Sequence, residues 1–562
     1  MADDFELTEQ EQHFIDCTRA GDVARFPYPY EGEEETKEQR SQIRAEVIYR
    51  LIVDPLDGWK VSHKGISLNG VVITEQLDLG YVGVLYPMSF DACTFEQQLD
   101  LSDAHIKTLY MIECTVPEIC AQRITVDGSV FIRETIVSGA LNFLGGYIGG
   151  MLGLDGSAFN NPNGRAINAD SLVTGGLVSL RGGFSAVGEV NFVGAIIGSA
   201  LVAYGGKFFN SGGIALVLSY AKITGTVYLG RNPGKNADNA ENPPFEATGI
   251  VGLRSAKIGD GMFLNDGFTA KGEVNLMGAT VGLDLVRAGG LFENPNGQAL
   301  RMNRAKIKGC WYWTPRLTPV GEIDTEGAEV GALCDAEASW PRGDKGSYIL
   351  EGFEYGRIQV GARTDWAFRK AWLDGQKFVG SLFAPQPYEH LVSVLRKTGH
   401  PGDARQIAIA KQEALRKSGA LSWRGALWNR FLGILIGHGY KPWKALYWMA
   451  AVMLLGSVVF YKANSLHVMQ PAKERILMER EKPGKSAWVP KDYPEFNPII
   501  YSLDVFLPIV DMHQESYWLP ATDIGHWYAG GWFRAYMWLH IALGWIMTTI
   551  AVAGLTGIVK KD

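Results

Sequence analysis

The residues best placed to do chemistry lie in "NPIIYSLDVFLPIVDM", positions 497–512. Two carboxylates, Asp504 and Asp511, interrupt an apolar stretch; Pro508 falls between them and Glu515 follows. A carboxylate held in apolar surroundings is costly unless it has a partner or a cation to bind. Rings of such carboxylates, one from each copy of a subunit, select cations in pores. Asp504, Asp511 and Glu515 are therefore the candidate ion-contacting residues, and Pro508 is the break that turns the chain back. The competing reading is local: Asp504 caps nearby backbone and Asp511 sits in water.

Other chemistries find less in the sequence. A dinucleotide site needs Gly-x-Gly-x-x-Gly between a strand and a helix, with an acidic residue downstream. "GGYIGG" (145–150) has the wrong spacing and lies inside a repeat. Cys17, Cys93, Cys114, Cys120, Cys310 and Cys334 form neither a Cys-x-x-Cys pair nor a zinc pattern, and read as reduced thiols. His540 stands alone in a long apolar segment, where helix contact is the ordinary role and haem ligation the unusual one. "RSAKIGDG" (254–261) supplies Arg254, Lys257 and Asp260, a grouping polysaccharide-cleaving β-helices use. Lys222, Lys257 and Lys306 recur at equivalent repeat positions, however, and so read as a solvated ladder. No catalytic residue, cofactor or metal ligand is assigned, and an enzyme is the third choice. A net charge of −7 and a pI near 5.9 give no basic field for nucleic acid.

The elements that must position the carboxylates are two apolar runs. Ala445–Tyr461 holds 17 uncharged residues and Ala535–Val559 holds 25. Both are long enough to be read as membrane spans, and Trp443, Tyr447, Trp448, Tyr536 and Trp538 suit their interfacial ends. The segment 497–512 is too short and too broken to cross, so a re-entrant segment is expected: a half-helix of about two turns that stops before Pro508 and runs back. Thr549, Ala553 and Gly557, at spacing four, suit close helix contact between copies. "SWRGALWNRFLGILI" (422–436) is expected to lie in the interface as an amphipathic collar.

Most of the chain ahead of these runs is repetitive. "GEVNFVGAIIGSALVAYGGKFFNSGGIAL" (188–216) matches "GEVNLMGATVGLDLVRAGGLFENPNGQAL" (272–300) at an offset of 84, and 139–167 matches the former at 49. The pairs Val178/Leu180, Val190/Phe192, Val227/Leu229 and Val274/Leu276 alternate with period two, the mark of short strands with one face inward. Gly, Asn and Asp between them supply turns, and many of the 67 glycines fall here. Units this short must stack to bury a face, which describes a β-helix or solenoid. The fold class is thus mainly β. A helical cap (1–64, with a helix over 37–54) precedes the solenoid (65–360). A helical connector and interfacial helix (361–440) and a two-span membrane domain (441–562) follow it. Within the connector, 387–419 reads as two helices, the second capped by Asp403. Residues 231–247 read as a loop pushed out of one coil.

Residues 387–562, with "GYKPWKAL" (439–446) and "YSLDVFLPIVD" (501–511), resemble the membrane module of bacterial two-span proteins that join a pentapeptide-like or β-solenoid domain to an ion-channel-like helix pair. The whole chain resembles a family often labelled "membrane-associated oxidoreductase". The resemblance implies a multi-pass inner-membrane protein embedded in the lipid bilayer. The first reading is a homo-oligomeric ion-channel-like pore, such as a tetramer, gated or assembled by the solenoid; the second is a membrane-tethered scaffold without a pore, whose solenoid faces bind a protein partner. The acidic, polar N-terminus has no signal-peptide pattern, so both termini are expected on the cytoplasmic side. Potassium channels of this layout carry Thr-x-Gly-Tyr-Gly where this chain has "FLPIVDM", so potassium selectivity is not implied.

Overall fold

The computed structural model describes residues 6–26, 40–56, 58–232, 243–264, 266–314, 317–378, 380, 383–472, 493–522 and 529–556. The chain divides into two compact units, Met1–Ala404 and Arg405–Asp562. The first is a parallel β-solenoid of about twelve coils. Its short strands build two long sheets, of 23 and 18 strands among the described residues.

One column shows why this sequence winds as it does. Ile106, Val126, Ile148, Thr174, Ile197, Ile223, Ile258, Val281, Ile307 and Val330 stack in register from coil to coil. All are buried. Each is β-branched, a shape that packs well on a pleated surface. The inward pairs read from the sequence are buried as expected. The repeat offsets resolve into whole coils. Val190 pairs with Leu216, Leu216 with Val251 and Val251 with Val274, so 84 residues make three coils. Leu141 pairs with Ile167 and Ile167 with Val190, so 49 make two. The coil that carries the expected loop at 231–247 runs from Ile223 to Ile258; residues 233–242 of that loop lie outside the described residues.

Three coils are lengthened by loops inside the strands Ala158–Asn168, Lys207–Val217 and Leu291–Arg301. Each is closed by an asparagine amide: Asn161 donates to the Arg165 carbonyl (3.0 Å), Asn210 to Ile214 (2.8 Å) and Asn294 to Gln298 (2.8 Å). The next coil passes beneath at Gly188, Gly249 or Gly321, with φ of 115°, 125° and 117°. A Cβ at any of these would strike the carbonyl oxygen of Asn161, Asn210 or Asn294, so only glycine fits.

The core holds an aromatic column, Phe159, Phe184, Phe208, Phe245, Phe268, Phe292 and Trp313, with successive ring centroids 5.2–5.8 Å apart. Arg287 is buried against its end, its guanidinium 4.6 Å from the Phe292 ring centre and 4.2 Å from that of Trp313. Burial pulls its pKa down to about 9. A second column, Cys93, Cys114, Thr135 and Ser157, donates from each side chain to a carbonyl of the preceding coil: those of Leu68, Phe90, Met111 and Ile132. Two of the six thiols are thus structural hydrogen-bond donors.

Both solenoid ends are covered, as open sheet edges must be. At the first end the helix expected over 37–54 is shorter. Gln42–Arg44 is a strand on Val72–Thr74, and helix α2 is Ala45–Val53; 37–39 lie outside the described residues. The first coil's free edge captures Ile43 as a strand residue, paired with Ile73 and fully buried. Ahead of it, helix α1 (Glu9–Ala20) begins with a capping box between Thr8 and Glu11. Glu11 is almost fully buried and also takes the Arg44 guanidinium at 2.7 Å. At the other end, helix α3 (Trp366–Asp374) brings Arg369 onto Asp335 at 2.8 Å, with both side chains fully buried. The two helices expected over 387–419 are α4 (Gln386–Lys397) and α5 (Pro401–Lys417). Asp403 lies inside the first turn of α5, not at its cap, because Pro401 already suits the helix start. Its carboxylate accepts instead from the Trp366 N–H at 3.1 Å.

The second unit contains α6 (Trp423–Ile436), α7 (Lys444–Ser465), α8 (Pro498–Phe506), α9 (Gln514–Tyr517) and α10 (Ala529–Leu555). Lys444–Ser465 and, within α10, Gly530–Ala553 are long and apolar enough to cross a membrane. Met469–Pro471 and Trp518–Pro520 pair as a short antiparallel ribbon.

Candidate functional site

The segment 497–512 is built around α8. Asn497 caps it, its side chain accepting from the Ile499 and Ile500 N–H groups at 2.9 and 3.2 Å, and Pro498 fills the first helical position. The helix stops at Phe506. Leu507 is extended (φ −91°, ψ 110°), the conformation a following proline imposes.

Buried contacts give its path. Tyr501 and Val505 pack on Phe460 and Ala463, near the end of α7, and on Met537 in α10. Phe506 packs on Ala445 and Met449, near the start of α7, and on Met547 and Ala551. The segment therefore runs down between the two long helices, against the direction of α7. It then returns: the Gln514 side chain accepts from the Asn497 N–H at 3.3 Å and donates to the Glu495 carbonyl at 3.4 Å. Entry and exit lie side by side, which is the re-entrant shape.

Two glycines make room for it. A Cβ on Gly544 would strike the Phe506 carbonyl oxygen, and one on Gly456 would come within 2.5 Å of the His540 ring. Between them lies a sealed polar node. The Ser502 hydroxyl donates to the Met453 carbonyl at 2.8 Å and lies 3.1 Å from His540 Nε2; both side chains are fully buried. The imidazole is enclosed by Phe460, Phe506 and Tyr536, with ring centres 5.8, 5.1 and 5.6 Å away. A serine touching a histidine is the geometry of an activated nucleophile. Here the hydroxyl proton is committed to Met453 and the pair is closed off by aromatic rings, so it pins α8 to α7 and α10. Sequence reading gave His540 only a generic helix-contact role and passed over Ser502. The available signal was the 3–4 spacing of Met537, His540, Gly544, Met547 and Ala551, which marks the inward face of α10.

The carboxylates are not equivalent. Asp504 is almost fully buried, and its two oxygens accept from the Met512 N–H (2.5 Å) and the Glu515 N–H (2.8 Å). It ties the returning strand to α8. Asp511 is exposed on the returning segment, 73% accessible, accepting from the His513 N–H and paired with its ring at 3.0 Å. Glu515 follows at the start of α9; partial desolvation and the charges of Asp504 and Asp511 raise its carboxyl above the usual range. Pro508 is half-buried. Thr549 is exposed on α10, its hydroxyl turned back onto the Trp545 carbonyl, Ala553 is half-buried, and Gly557 lies outside the described residues.

The contrast is testable. Asp504→Ala leaves two partly buried N–H groups unpaired and is expected to destabilise the return by about 2–3 kcal/mol. Asp511→Asn, at an exposed ion pair, is expected to shift stability by less than about 0.5 kcal/mol. Hydrogen exchange across 512–517 in detergent-solubilised protein measures both. Equal protection in the two variants would reject the tethering role of Asp504.

No protein-family model, curated protein or solved structure matches this chain.

Proposed function

We propose that this protein is a membrane-anchored solenoid: α7 and α10 hold it in a bilayer, and the coils offer a long, regular surface to a protein partner. One observation carries the reading. The faces of α7 and α10 turned away from α8 carry large exposed apolar side chains, among them Leu454, Leu455, Val458, Trp538, Trp545, Ile546 and Val552, on the only described helices long enough to span. Lipid is the solvent that suits such faces. Arg430, Lys441 and Lys444 precede the core of α7, but Lys462, Lys473, Arg475 and Arg480 follow it, so flanking charge gives the orientation little support; a bacterial inner-membrane protein with both termini in the cytoplasm is proposed from the two-span layout.

A second reading is a cation-conducting homo-oligomer, tetrameric by analogy with two-span channels. The exposure of Asp511 on the returning segment favours it, since several copies can bring that carboxylate to a common axis. The buried state of Asp504 favours the anchor, because both its oxygens are engaged by backbone N–H groups and turned away from solvent.

Two measurements on the purified full chain decide. The anchor reading expects flotation with vesicles at high salt and at high pH, and no conductance in planar bilayers at any voltage. Failure to float overturns it. A cation current that weakens in Asp511→Asn replaces it with the pore.

A further inference from the structure

Helix α6 presents an uncovered face of unusual composition. Trp423 (72% accessible), Leu427, Trp428, Phe431 and Ile434 are all exposed. At 100° per residue they fall within an arc of about 160° that also contains Arg424 and Arg430. The opposite side is occupied: Asn429 bonds the Gln412 side chain at 3.1 Å, and Ile436 packs with Ala445 and Met449 of α7. The free face is continuous with α7, where Trp443, Tyr447 and Trp448 are also exposed and the Trp448 indole donates to the Ile434 carbonyl at 3.3 Å.

A second observation comes from charge. Between Glu413 and Glu474 the chain has no aspartate or glutamate, but it has Arg416, Lys417, Arg424, Arg430, Lys441, Lys444, Lys462 and Lys473. Six of these eight cations precede the uncharged core of α7. An aromatic and aliphatic stripe with Arg430 at its edge and Arg424 in its first turn, and no acid nearby, complements an apolar layer bounded by phosphate.

We infer that α6 lies in the plane of the leaflet that receives the start of α7, its aromatic face at the acyl boundary and its cations on the headgroups of anionic lipids. The inference rests on the anchor reading and adds the lipid class and the residues that select it. Trp423, Trp428 and Phe431 supply depth. Arg424 and Arg430 supply the preference for a negatively charged headgroup over a zwitterionic one.

Photocrosslinking separates the two ideas. A benzophenone amino acid replaces Leu427 in α6 or, in a second preparation, Leu454 in α7. Each full-length protein is reconstituted in phosphatidylcholine vesicles with a minor fraction of phosphatidylglycerol. Mass spectrometry after illumination is expected to find lipid adducts at both positions. At position 427 phosphatidylglycerol should exceed its mole fraction by about fivefold, the factor one surface cation contributes. Arg424→Glu with Arg430→Glu should return that ratio to one while leaving adducts at 454 unchanged. Adducts at 427 to protein alone, or to lipid without enrichment, overturn the inference while the anchor stands. Absence of lipid adducts at 454 overturns the anchor reading itself.

Discussion

Arg369→Ala is expected to destabilise the end of the solenoid by about 3–5 kcal/mol, the usual consequence of removing one partner from a buried ion pair. Its guanidinium meets Asp335 through two bonds, Nη1 to Oδ2 at 3.0 Å and Nη2 to Oδ1 at 2.8 Å, and Nε donates to the Arg363 carbonyl at 2.7 Å. Asp335 closes the strand Glu329–Asp335 and also accepts from the Trp340 indole at 2.8 Å. With Arg369 gone, a buried carboxylate keeps a single neutral donor. The penalty lies in the orphaned charge more than in the lost attraction, so Arg369→Met combined with Asp335→Leu should recover most of the stability. Solenoid coils contact mainly their neighbours, so the loss should start at the last coils and the α3 cap. Guanidinium denaturation of the full-length single and double variants tests this. A single-variant loss below about 1 kcal/mol, or a double variant no better than the single, would refute it.

The sequence carried the solenoid because its evidence is local and repeated. Each coil writes the same in–out alternation, and Val190/Phe192 or Val274/Leu276 are buried as that alternation requires. The coil itself was harder to read. Coils differ in length because some carry Asn-closed loops and one carries the insertion after Arg231, so the long matches at 84 and 49 span three coils and two, while the Ala-Lys-Ile tripeptides at 221–223 and 256–258 lie one coil apart. The caps were less legible still. Ile43 fits a helical face and a strand edge equally well by type. Only the first coil's unpaired edge decides for the strand.

In the second unit the break in 497–512 was readable from Pro498, Pro508 and the apolar residues between them, all within a few positions. The fate of the carboxylates was not. Asp504 owes its role to where the chain returns after Pro508, and Ser502 and His540 meet across 38 positions. Nothing in the sequence sets Gly456 and Gly544 apart from other glycines of the apolar runs. Their requirement is steric and depends on a segment that neither adjoins in sequence.

A single added carboxylate distinguishes the inside of a coil from its outside. Leu276 is fully buried, and register places Leu253 and Met302 at the same position in the coils on either side. Leu276→Asp sets a charge among the aliphatic side chains of this column. It is expected to cost about 4 kcal/mol or more, or to fold only with the carboxyl protonated. Four residues on, Thr280 points outward on the ladder between Lys257 and Lys306. Thr280→Asp adds the same group between two exposed lysines and is expected to change stability by no more than about 0.5 kcal/mol, in the favourable direction at low salt. The pair holds net charge constant, so a difference between them reports the local environment alone. Denaturant titrations of the two full-length variants give the answer. Similar midpoints would mean that the alternation through this coil does not separate a dry core from solvent. A low midpoint for Leu276→Asp that rises as the pH falls would locate the cost in the ionised carboxylate, because protonation removes the charge that the coil cannot solvate.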